Sequence, residues 1–180
     1  MNLLKNIRIN DKLKSIYDRL EQSKTELNDL NIYDPLLVCS SEIQGLWVYD
    51  NATSRLYRFN SQLQSINSSN DLRHDVSQNI NPDLMSESDY WLVMRDKENL
   101  MVFDKMGNYY KSIRLNNALG GQLIHDDWLY CSNEKLFRLN LRSGVTTEVT
   151  LPFSTLNASI VLAPQRLIRF FDKMLEVYSF

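Results

Sequence analysis

Glycine, cysteine and histidine are scarce in this sequence, and a long apolar run is missing. The two cysteines, Cys39 and Cys131, allow at most one bridge, which excludes a disulfide-stabilised scaffold and favours buried free thiols. No apolar stretch approaches the ~20 residues that a membrane helix needs, and the N-terminus has no apolar core of signal-peptide length. We therefore expect no transmembrane segment, and a cytoplasmic location as the chain stands, or an exported one if a signal lies upstream.

A charge bias and the common catalytic patterns are also missing. Lys and Arg total 20, Asp and Glu total 22, and the formal net charge is -2. The basic side chains are dispersed, so we expect no nucleic-acid partner. The sequence has no Gly-rich phosphate loop, no GxSxG motif and no metal-ligand spacing around its two histidines, which predicts no cofactor and no metal site. With five glycines, many turns must depend on Asn and Asp.

A short apolar pattern that contains Trp occurs three times, at Gly45–Asp50, Tyr90–Met94 and Asp127–Cys131. Each copy is followed by a turn-like polar link and a second apolar alternation, such as Leu56–Asn60. A degraded fourth copy lies at 167–178. A period of about 40 residues with several short strands per repeat is typical of propeller blades.

We predict an all-β, β-propeller-like domain over residues 29–180. Its four or so antiparallel blades fall at about residues 35–66, 80–115, 120–151 and 158–180. The fourth copy lacks an outer strand, so we expect an open or incomplete ring whose open blade face meets another protein or a second copy of the chain. Residues 1–28 lie outside the repeat, and apolar residues at helical spacing after Asn10 and Asp11 predict a short N-terminal helix at about 12–24.

The segments GLWVYDNATSRLYRFN, YWLVMRDKENLMVFDKMGNYYKSI and DWLYCSNEKLFRLN resemble the blades of NHL-like and quinoprotein-like propeller repeats. Residues 30–180 resemble, more specifically, small bacterial propeller proteins that are usually exported and longer. The resemblance implies the propeller fold and is compatible with the bacterial cell envelope. It implies no particular activity, because one scaffold supports many functions.

The recurring tryptophans, Trp47, Trp91 and Trp128, allow two interpretations. They could form an aromatic ligand platform, but their repeated positions favour packing between blades. Polar residues at strand ends could likewise bind calcium or form turns, and their spread over separate blades favours turns. These residues are Asp50, Asn60, Asp104, Asn140 and Asp172.

A ligand site is most plausible at His125, Asp126 and Asp127, which the pattern places in a turn between two strands. The favoured function is a non-enzymatic binding or scaffold module for protein–protein interaction. The alternative is a propeller enzyme, a hydrolase or lactonase with a metal in its channel. That alternative requires several carboxylates or imidazoles to converge from the innermost strands, which are mostly apolar or small in sequence.

Overall fold

The computed structural model describes residues 31–41, 45–62, 64–76, 80–133, 135–151, 159–163, 166–171 and 173–179. These residues form fifteen strands and a short 3₁₀ turn at Leu72–His74. The strands make four antiparallel sheets, which confirms the prediction of an all-β protein with about four repeated sheets. The predicted helix at 12–24, the segment 1–28 and Asp172 lie outside the described residues, and the division into two domains stays a prediction.

Sheets 1 to 4 follow one another along the chain, and within each sheet the strands are hydrogen-bonded in chain order. Sheet 1 contains β1 (Pro35–Ser41), β2 (Gly45–Asp50), β3 (Arg55–Phe59) and β4 (Ser65–Ser68). Sheet 2 contains β5 (Leu84–Glu87), β6 (Leu92–Asp96), β7 (Asn99–Phe103) and β8 (Tyr109–Arg114). Sheet 3 contains β9 (Leu119–Ile124), β10 (Asp127–Ser132), β11 (Lys135–Asn140) and β12 (Thr146–Val149). Sheet 4 contains β13 (Ser159–Ala163), β14 (Arg166–Phe171) and β15 (Met174–Ser179).

The sheets pack face against face, as the apolar alternation of their middle strands requires. We call the face toward higher-numbered sheets the forward face and the opposite one the backward face. In β6, Leu92 and Met94 belong to a core that includes Trp47 of sheet 1, whereas Val93 belongs to a core that includes Trp128 of sheet 3. Because successive strand residues point to opposite faces, sheet 2 is buried on both sides.

The innermost strands hold the four sheets in sequence. Contacts join β1 to β5, β5 to β9 and β9 to β13, so each sheet has its chain neighbours as its spatial neighbours. Burying one large apolar side chain contributes about 1.5–3 kcal/mol. The two cores between sheets 1, 2 and 3 therefore supply the main stabilising term of the described part of the chain.

The three tryptophans do not share one register position. Trp47 pairs with Arg58 of its neighbouring strand, whereas Trp128 pairs with Leu139, the residue that corresponds to Phe59 in sheet 1. A one-residue offset reverses the face of a strand residue. Trp47 accordingly lies on the forward face of sheet 1, and Trp128 lies on the backward face of sheet 3. Trp91 precedes β6 and packs against the core between sheets 2 and 3 while remaining half-buried.

Each of the two fully buried indoles packs against a glycine. A Cβ on Gly107, which has φ +82°, would lie 3.1 Å from two ring atoms of Trp47. A Cβ on Gly121 would lie 1.9 Å from the Trp128 ring, closer than any side chain can approach. Gly107 lies in the turn between β7 and β8 of sheet 2, and Trp47 belongs to sheet 1, so the first of these contacts joins neighbouring repeats directly.

Side chains at strand ends form turns, as predicted for four of the five polar positions. Asp50 accepts hydrogen bonds from the backbone N–H of Tyr33 (2.9 Å) and Thr53 (2.9 Å), and Asp104 accepts from Met106 N (2.8 Å). Asn60 and Asn140 do the same for their own loops, with bonds of 2.9–3.0 Å. The bonds of Asn60, Asp104 and Asn140, and the bond of Asp50 to Thr53, are local and show the turn-forming role of Asx residues. Asp50 also accepts from Tyr33 N, 17 residues earlier in the chain, and so anchors the segment before β1.

The two ends of the stack differ. On the backward face of sheet 1, Val48, Tyr57 and Phe59 of the middle strands are buried in a cluster with Ile32. The first and last strands of this sheet expose apolar residues, at Leu36, Val38 and Ile66. On the forward face of sheet 4, the middle and last strands expose Phe170, Leu175 and Val177. The ends therefore differ in which strands expose apolar residues: the first and last strands in sheet 1, and β14 and β15 in sheet 4.

Candidate functional site

Four segments of the chain meet where sheets 2 and 3 adjoin, at one end of their strands. They are the β5–β6 link, the His125–Asp126 turn between β9 and β10, the start of β8, and the β11–β12 turn. The predicted site residues His125 and Asp126 lie here, and Asp127 begins β10 beside them. His125 has φ +52°, because a turn of two residues must reverse the chain between the paired residues Ile124 and Asp127.

Asp126 connects the two sheets at this edge. Its Oδ1 accepts a 2.6 Å hydrogen bond from the indole N–H of Trp91 and a 3.0 Å bond from Arg142 Nε. Desolvation by itself raises the pKa of Asp126, but the hydrogen bonds from Trp91 and Arg142 outweigh it and hold the pKa below its ordinary value. Asp126 is therefore a carboxylate at neutral pH and fixes the orientation of both partners.

Aromatic and cationic side chains alternate around Asp126. The Arg142 guanidinium lies 5.4 Å from the centre of the Tyr90 ring, and the Trp91 and Tyr110 rings are 5.2 Å apart. Lys111 Nζ lies 5.2 Å from the centre of the Tyr110 ring and donates to the carbonyl oxygen of Arg142 at 3.1 Å. We call the five residues Tyr90, Trp91, Tyr110, Lys111 and Arg142 the seam surface, because they cover the seam between sheets 2 and 3.

His125 and Asp127 lie beside the seam surface with separate partners. His125 Nδ1 is 3.4 Å from Asp89 Oδ2, and its carbonyl oxygen accepts a 2.7 Å bond from Ser88 Oγ. Asp127 accepts from Arg138 Nη2 and, at 3.0 Å, from Asn140 Nδ2. The three predicted residues are thus neighbours, yet their carboxylates point to different partners and form no common ligand set.

The seam surface has the composition of an interaction surface. Tyr90 and Tyr110 are 50 % and 53 % exposed, and both are held in place by stacked neighbours. Tyr, Trp and Arg are the residues most enriched at binding hot spots, because they offer large rigid contact areas with polar ends. Ordered side chains lose little entropy on binding. The surface can therefore contact a partner without rearranging.

Sequence reasoning identified one end of this site and missed the other. It selected the His125–Asp126 turn, favoured packing over a ligand platform for Trp91, and did not single out Tyr90, Tyr110 or Arg142. Two features of the sequence could have indicated these residues. Tyr90 directly precedes the Trp of its copy, and Arg142 lies in a turn between predicted strands. These residues come together only through contacts between sheets. The pattern within one repeat carries no information on those contacts.

In a propeller enzyme, the reacting groups would lie on the innermost strands. Glu87 of β5 is almost fully buried and accepts a 2.8 Å bond from Lys105 Nζ. Burial and the nearby Glu87 charge raise the pKa of the Cys39 thiol to about 12, and burial also raises the pKa of Cys131; both cysteines are free. Across the residues described, no three His, Cys, Asp or Glu side chains are grouped so that they could hold a metal ion.

Two shallow clefts lie away from the seam surface. A cleft of about 500 Å³ is bordered by Tyr33, Thr53 and Arg73 of sheet 1 and its connections. A second, of about 580 Å³, is bordered by Asp83, Arg95 and Asn117 on the opposite edge of sheets 2 and 3. Neither contains the predicted residues. No helix within the described ranges has the length and apolarity to cross a membrane.

Solved structures resemble this arrangement of sheets. A streptogramin B lyase structure superposes with a TM-score of 0.50 at 13 % identity, covering 81 % of this chain and 54 % of the lyase. Kluyveromyces lactis Hsv2 gives 0.54 at 10 % identity, covering 81 % and 48 %. PorZ, a bacterial surface component of the type-IX secretion system of Porphyromonas gingivalis, gives 0.54 at 13 % identity, covering 83 % and 22 %. The fold is propeller-like.

These similarities concern the fold alone. The chain spans about half the length of the lyase and of Hsv2, and about a fifth of PorZ. No family model and no curated protein matches the sequence. The similar structures include a lyase, so the propeller-like fold by itself leaves the activity of this chain open.

Proposed function

We propose that this protein is a non-enzymatic, propeller-like module that binds another protein through the seam surface. The observation that supports the proposal most is the fixed stack of exposed Tyr90 and Tyr110 around Trp91, Asp126 and Arg142. A protein surface of this kind presents apolar rings and charged ends together. It fits a partner that offers apolar side chains flanked by backbone and acidic groups.

The charge distribution favours a protein over a nucleic acid. Lys111 and Arg142 are accompanied by Asp126, Asp127 and Asp89 within the same edge of the molecule. A phosphate backbone needs several uncompensated cations along its path. Compensated charges around aromatic side chains are instead typical of interfaces between proteins, where charged rims fix orientation.

The alternative is a propeller enzyme of the hydrolase or lactonase type. It would place its reacting groups where the innermost strands converge. There the described part of the chain offers the buried Glu87–Lys105 pair beside a Cys39 thiol whose pKa is raised. A raised thiol pKa makes a poor nucleophile at neutral pH. The seam surface is the stronger candidate because its side chains are both exposed and ordered.

The sheets form, in this proposal, an open arc and not a closed ring. Apolar residues remain exposed at both ends of the stack, on β1 at one end and on β14 and β15 at the other. A closed ring buries these faces against each other. The open ends are then further places where a protein can dock.

Site-specific photo-crosslinking tests the seam surface. A photoreactive phenylalanine analogue replaces Tyr90 or Tyr110 in cells that produce the full chain. Tyr33, an exposed tyrosine just before β1, serves as the matched control position. We expect one protein to be crosslinked from positions 90 and 110 and not from position 33. We also expect Arg142→Ala to reduce that crosslink, because Arg142 stacks on Tyr90.

Two results would overturn the proposal. One is the absence of any protein crosslinked from positions 90 and 110. The other is an identical set of proteins from all three positions, which would indicate nonspecific collision. Circular dichroism of each variant shows whether the fold is retained, so a loss of crosslinking caused by unfolding is recognised.

A further inference from the structure

Hydrogen bonds of the same kind cross the seam between sheets 1 and 2 and the seam between sheets 2 and 3. In each, a side chain of an outer strand donates to a carbonyl oxygen in the turn between the third and fourth strands of the next sheet. Asn67 Nδ2 of β4 donates to Met106 O at 2.8 Å, and Lys111 Nζ of β8 donates to Arg142 O at 3.1 Å. A neutral amide therefore suffices for this contact between sheets, and the positive charge of Lys111 is not needed for it.

Asn67 and Lys111 also occupy equivalent positions in their strands. Each directly follows one extra residue, which has no opposite number on the neighbouring strand and forms a β-bulge. The extra residues are Ile66 and Tyr110, and both are about half exposed. A bulge changes the direction in which the side chains of its strand point. The bulge in β8 therefore brings Tyr110 and Lys111 to the seam surface together.

The ammonium group of Lys111 is held in place and keeps free donors. Its Nζ lies 5.2 Å from the centre of the Tyr110 ring and bonds to Arg142 O. Because an ammonium group has three N–H donors, two of them remain for a ligand. Within the described part of the chain, no carboxylate forms an ion pair with Lys111.

The acidic groups near the seam surface have other partners. The pairs are Asp126 with Arg142, Asp127 with Arg138, and Asp89 with His125. Of the two cations of the seam surface, Arg142 is thus neutralised within the chain, and Lys111 has no partner of opposite charge among the described residues. An ordered cation beside exposed aromatic rings is complementary to a carboxylate that is carried next to an apolar side chain.

We propose that Lys111 recognises a carboxylate of the partner protein, presented next to an apolar side chain. This inference rests on the proposed function, because it concerns the protein that binds at the seam surface. The carboxylate accepts the free N–H groups of Lys111, and the apolar side chain lies on the rings of Tyr90 and Tyr110. The carboxylate belongs to an Asp or Glu side chain or to the C-terminus of the partner. One unpaired cation fits one such group, whereas a polyanion needs several along its path.

A labelled peptide tests the role of Lys111. Mass spectrometry of the adducts formed from a photoreactive residue at position 90 identifies the contacted stretch of the partner. That stretch is synthesised with a fluorescein label and titrated with the full chain, and its binding is followed by fluorescence anisotropy. We expect the stretch to contain a carboxylate. Lys111→Asn should bind it roughly 10-fold more weakly, because a charge-assisted contact is lost, and Lys111→Arg should stay within about 2-fold of the natural chain.

Lys111→Asn is a matched variant, because Asn67 makes the equivalent bond between sheets 1 and 2 with an asparagine side chain. Its midpoint of urea unfolding should equal that of the natural chain, so weaker binding reports the loss of the charge. A peptide whose carboxylate is replaced by an amide completes a double-mutant cycle. The replacement should weaken binding to the natural chain roughly 10-fold and leave binding to Lys111→Asn unchanged.

Several outcomes would overturn this inference and leave the seam surface as a binding site. The contacted stretch could lack a carboxylate, or the natural chain and Lys111→Asn could bind the peptide equally well. Lys111→Arg could lose as much affinity as Lys111→Asn, which would assign the effect to shape and not to charge. The amide peptide could lose equal affinity for both proteins, which would assign the carboxylate to another residue. The absence of any adduct from positions 90 and 110 would instead overturn the proposed function, and this inference with it.

Discussion

At the scale of single residues, the packing depends on a few close contacts that leave no room for a larger side chain. Gly121 is in an extended strand with φ +153°, and the six-membered ring of Trp128 occupies the space where a Cβ would be. The contact allows β9 and β10 to approach while the indole stays fully buried. A side chain at position 121 must therefore displace the ring or separate the strands.

The variant Gly121→Ala should lower the free energy of unfolding by about 2–4 kcal/mol, because the added methyl group overpacks a rigid indole. Urea unfolding followed by Trp fluorescence measures the change. The control is Gly120→Ala, where a Cβ meets no atom within 4 Å although φ is +65°. That variant should lose only about 1 kcal/mol from backbone strain. Equal losses in the two variants would contradict the steric explanation.

Asp50 is a second residue with a structural role. The carboxylate is fully buried in the fold and accepts hydrogen bonds from Tyr33 N, Asp34 N and both Thr53 donors. Replacement by Ala leaves several backbone N–H groups without an acceptor, so we expect a loss of about 2–4 kcal/mol. Asp104→Ala removes similar bonds from a more exposed turn and should cost about 1 kcal/mol. Differential scanning calorimetry of both variants compares them, and a larger loss for Asp104→Ala would refute the ranking.

At the scale of elements, the seam between sheets 2 and 3 has a hydrogen-bonded centre. Trp91 belongs to the β5–β6 link and Asp126 to the β9–β10 turn, so their bond joins two sheets that share an apolar core. The core sets the distance between the sheets, and the hydrogen bond sets the orientation of the exposed rings.

A double-mutant cycle measures the coupling across the seam. We expect Trp91→Phe and Asp126→Ala to be non-additive, with an interaction free energy of about 1–2 kcal/mol, because a hydrogen bond to a charged acceptor is removed by either change. Chemical denaturation of the four proteins gives the value. An additive cycle would show that the indole N–H and the carboxylate do not interact in solution.

Element boundaries illustrate what the sequence could and could not predict. The alternation in segments such as Leu100–Phe103 predicted strands, because period-two patterns are local. The polar connection 67–81 concealed Leu72, which is fully buried between sheets 1 and 2 and donates its backbone N–H to Ser54 O at 2.9 Å. The opposite faces of Trp47 and Trp128 follow from a small difference in spacing: Leu56 lies nine residues after Trp47, whereas Leu136 lies eight residues after Trp128. A difference of one residue reverses the face of the Trp relative to the second strand.

At the scale of the whole molecule, the repeat predicted the number and order of sheets. It could not predict the seam surface, because Tyr90 and Arg142 lie in different copies and meet only when the sheets stack. It could not predict either which strands expose apolar residues at each end of the stack. Those features depend on packing between repeats, which a pattern within one repeat does not contain.

Lowered carboxyl pKa values predict how the stability of the whole molecule changes with pH. Asp71 has a pKa of about 2 because Arg73 donates hydrogen bonds to it. Asp50, Asp104 and Asp126 also have lowered pKa values, because their hydrogen bonds together outweigh desolvation. The unfolded chain binds protons at about pH 4, before the folded one does. The stabilisation is therefore complete above about pH 4 and is lost as the pH falls through the folded values.

Urea unfolding at pH 7, 5, 4 and 2.5 checks this expectation. The free energy of unfolding should change little between pH 7 and 5 from these groups and then fall continuously toward pH 2.5. Asp50→Asn should show a shallower fall, since one of the titrating groups is gone. A stability that rises on acidification would contradict the assignment of these carboxylates.

The proposed seam surface depends on the stacking of sheets on each other's apolar faces. Nuclear Overhauser effects from the Trp47 ring test that stacking most directly, because Gly107, in the turn between β7 and β8 of sheet 2, lies against the distal edge of this indole. We predict strong effects between the outer ring protons of Trp47 and the Gly107 Hα protons in the natural chain. Strong effects from the Trp47 ring to residues of its own sheet, with none to Gly107 or its neighbours at 105–107, would contradict the stacking and the seam surface that depends on it.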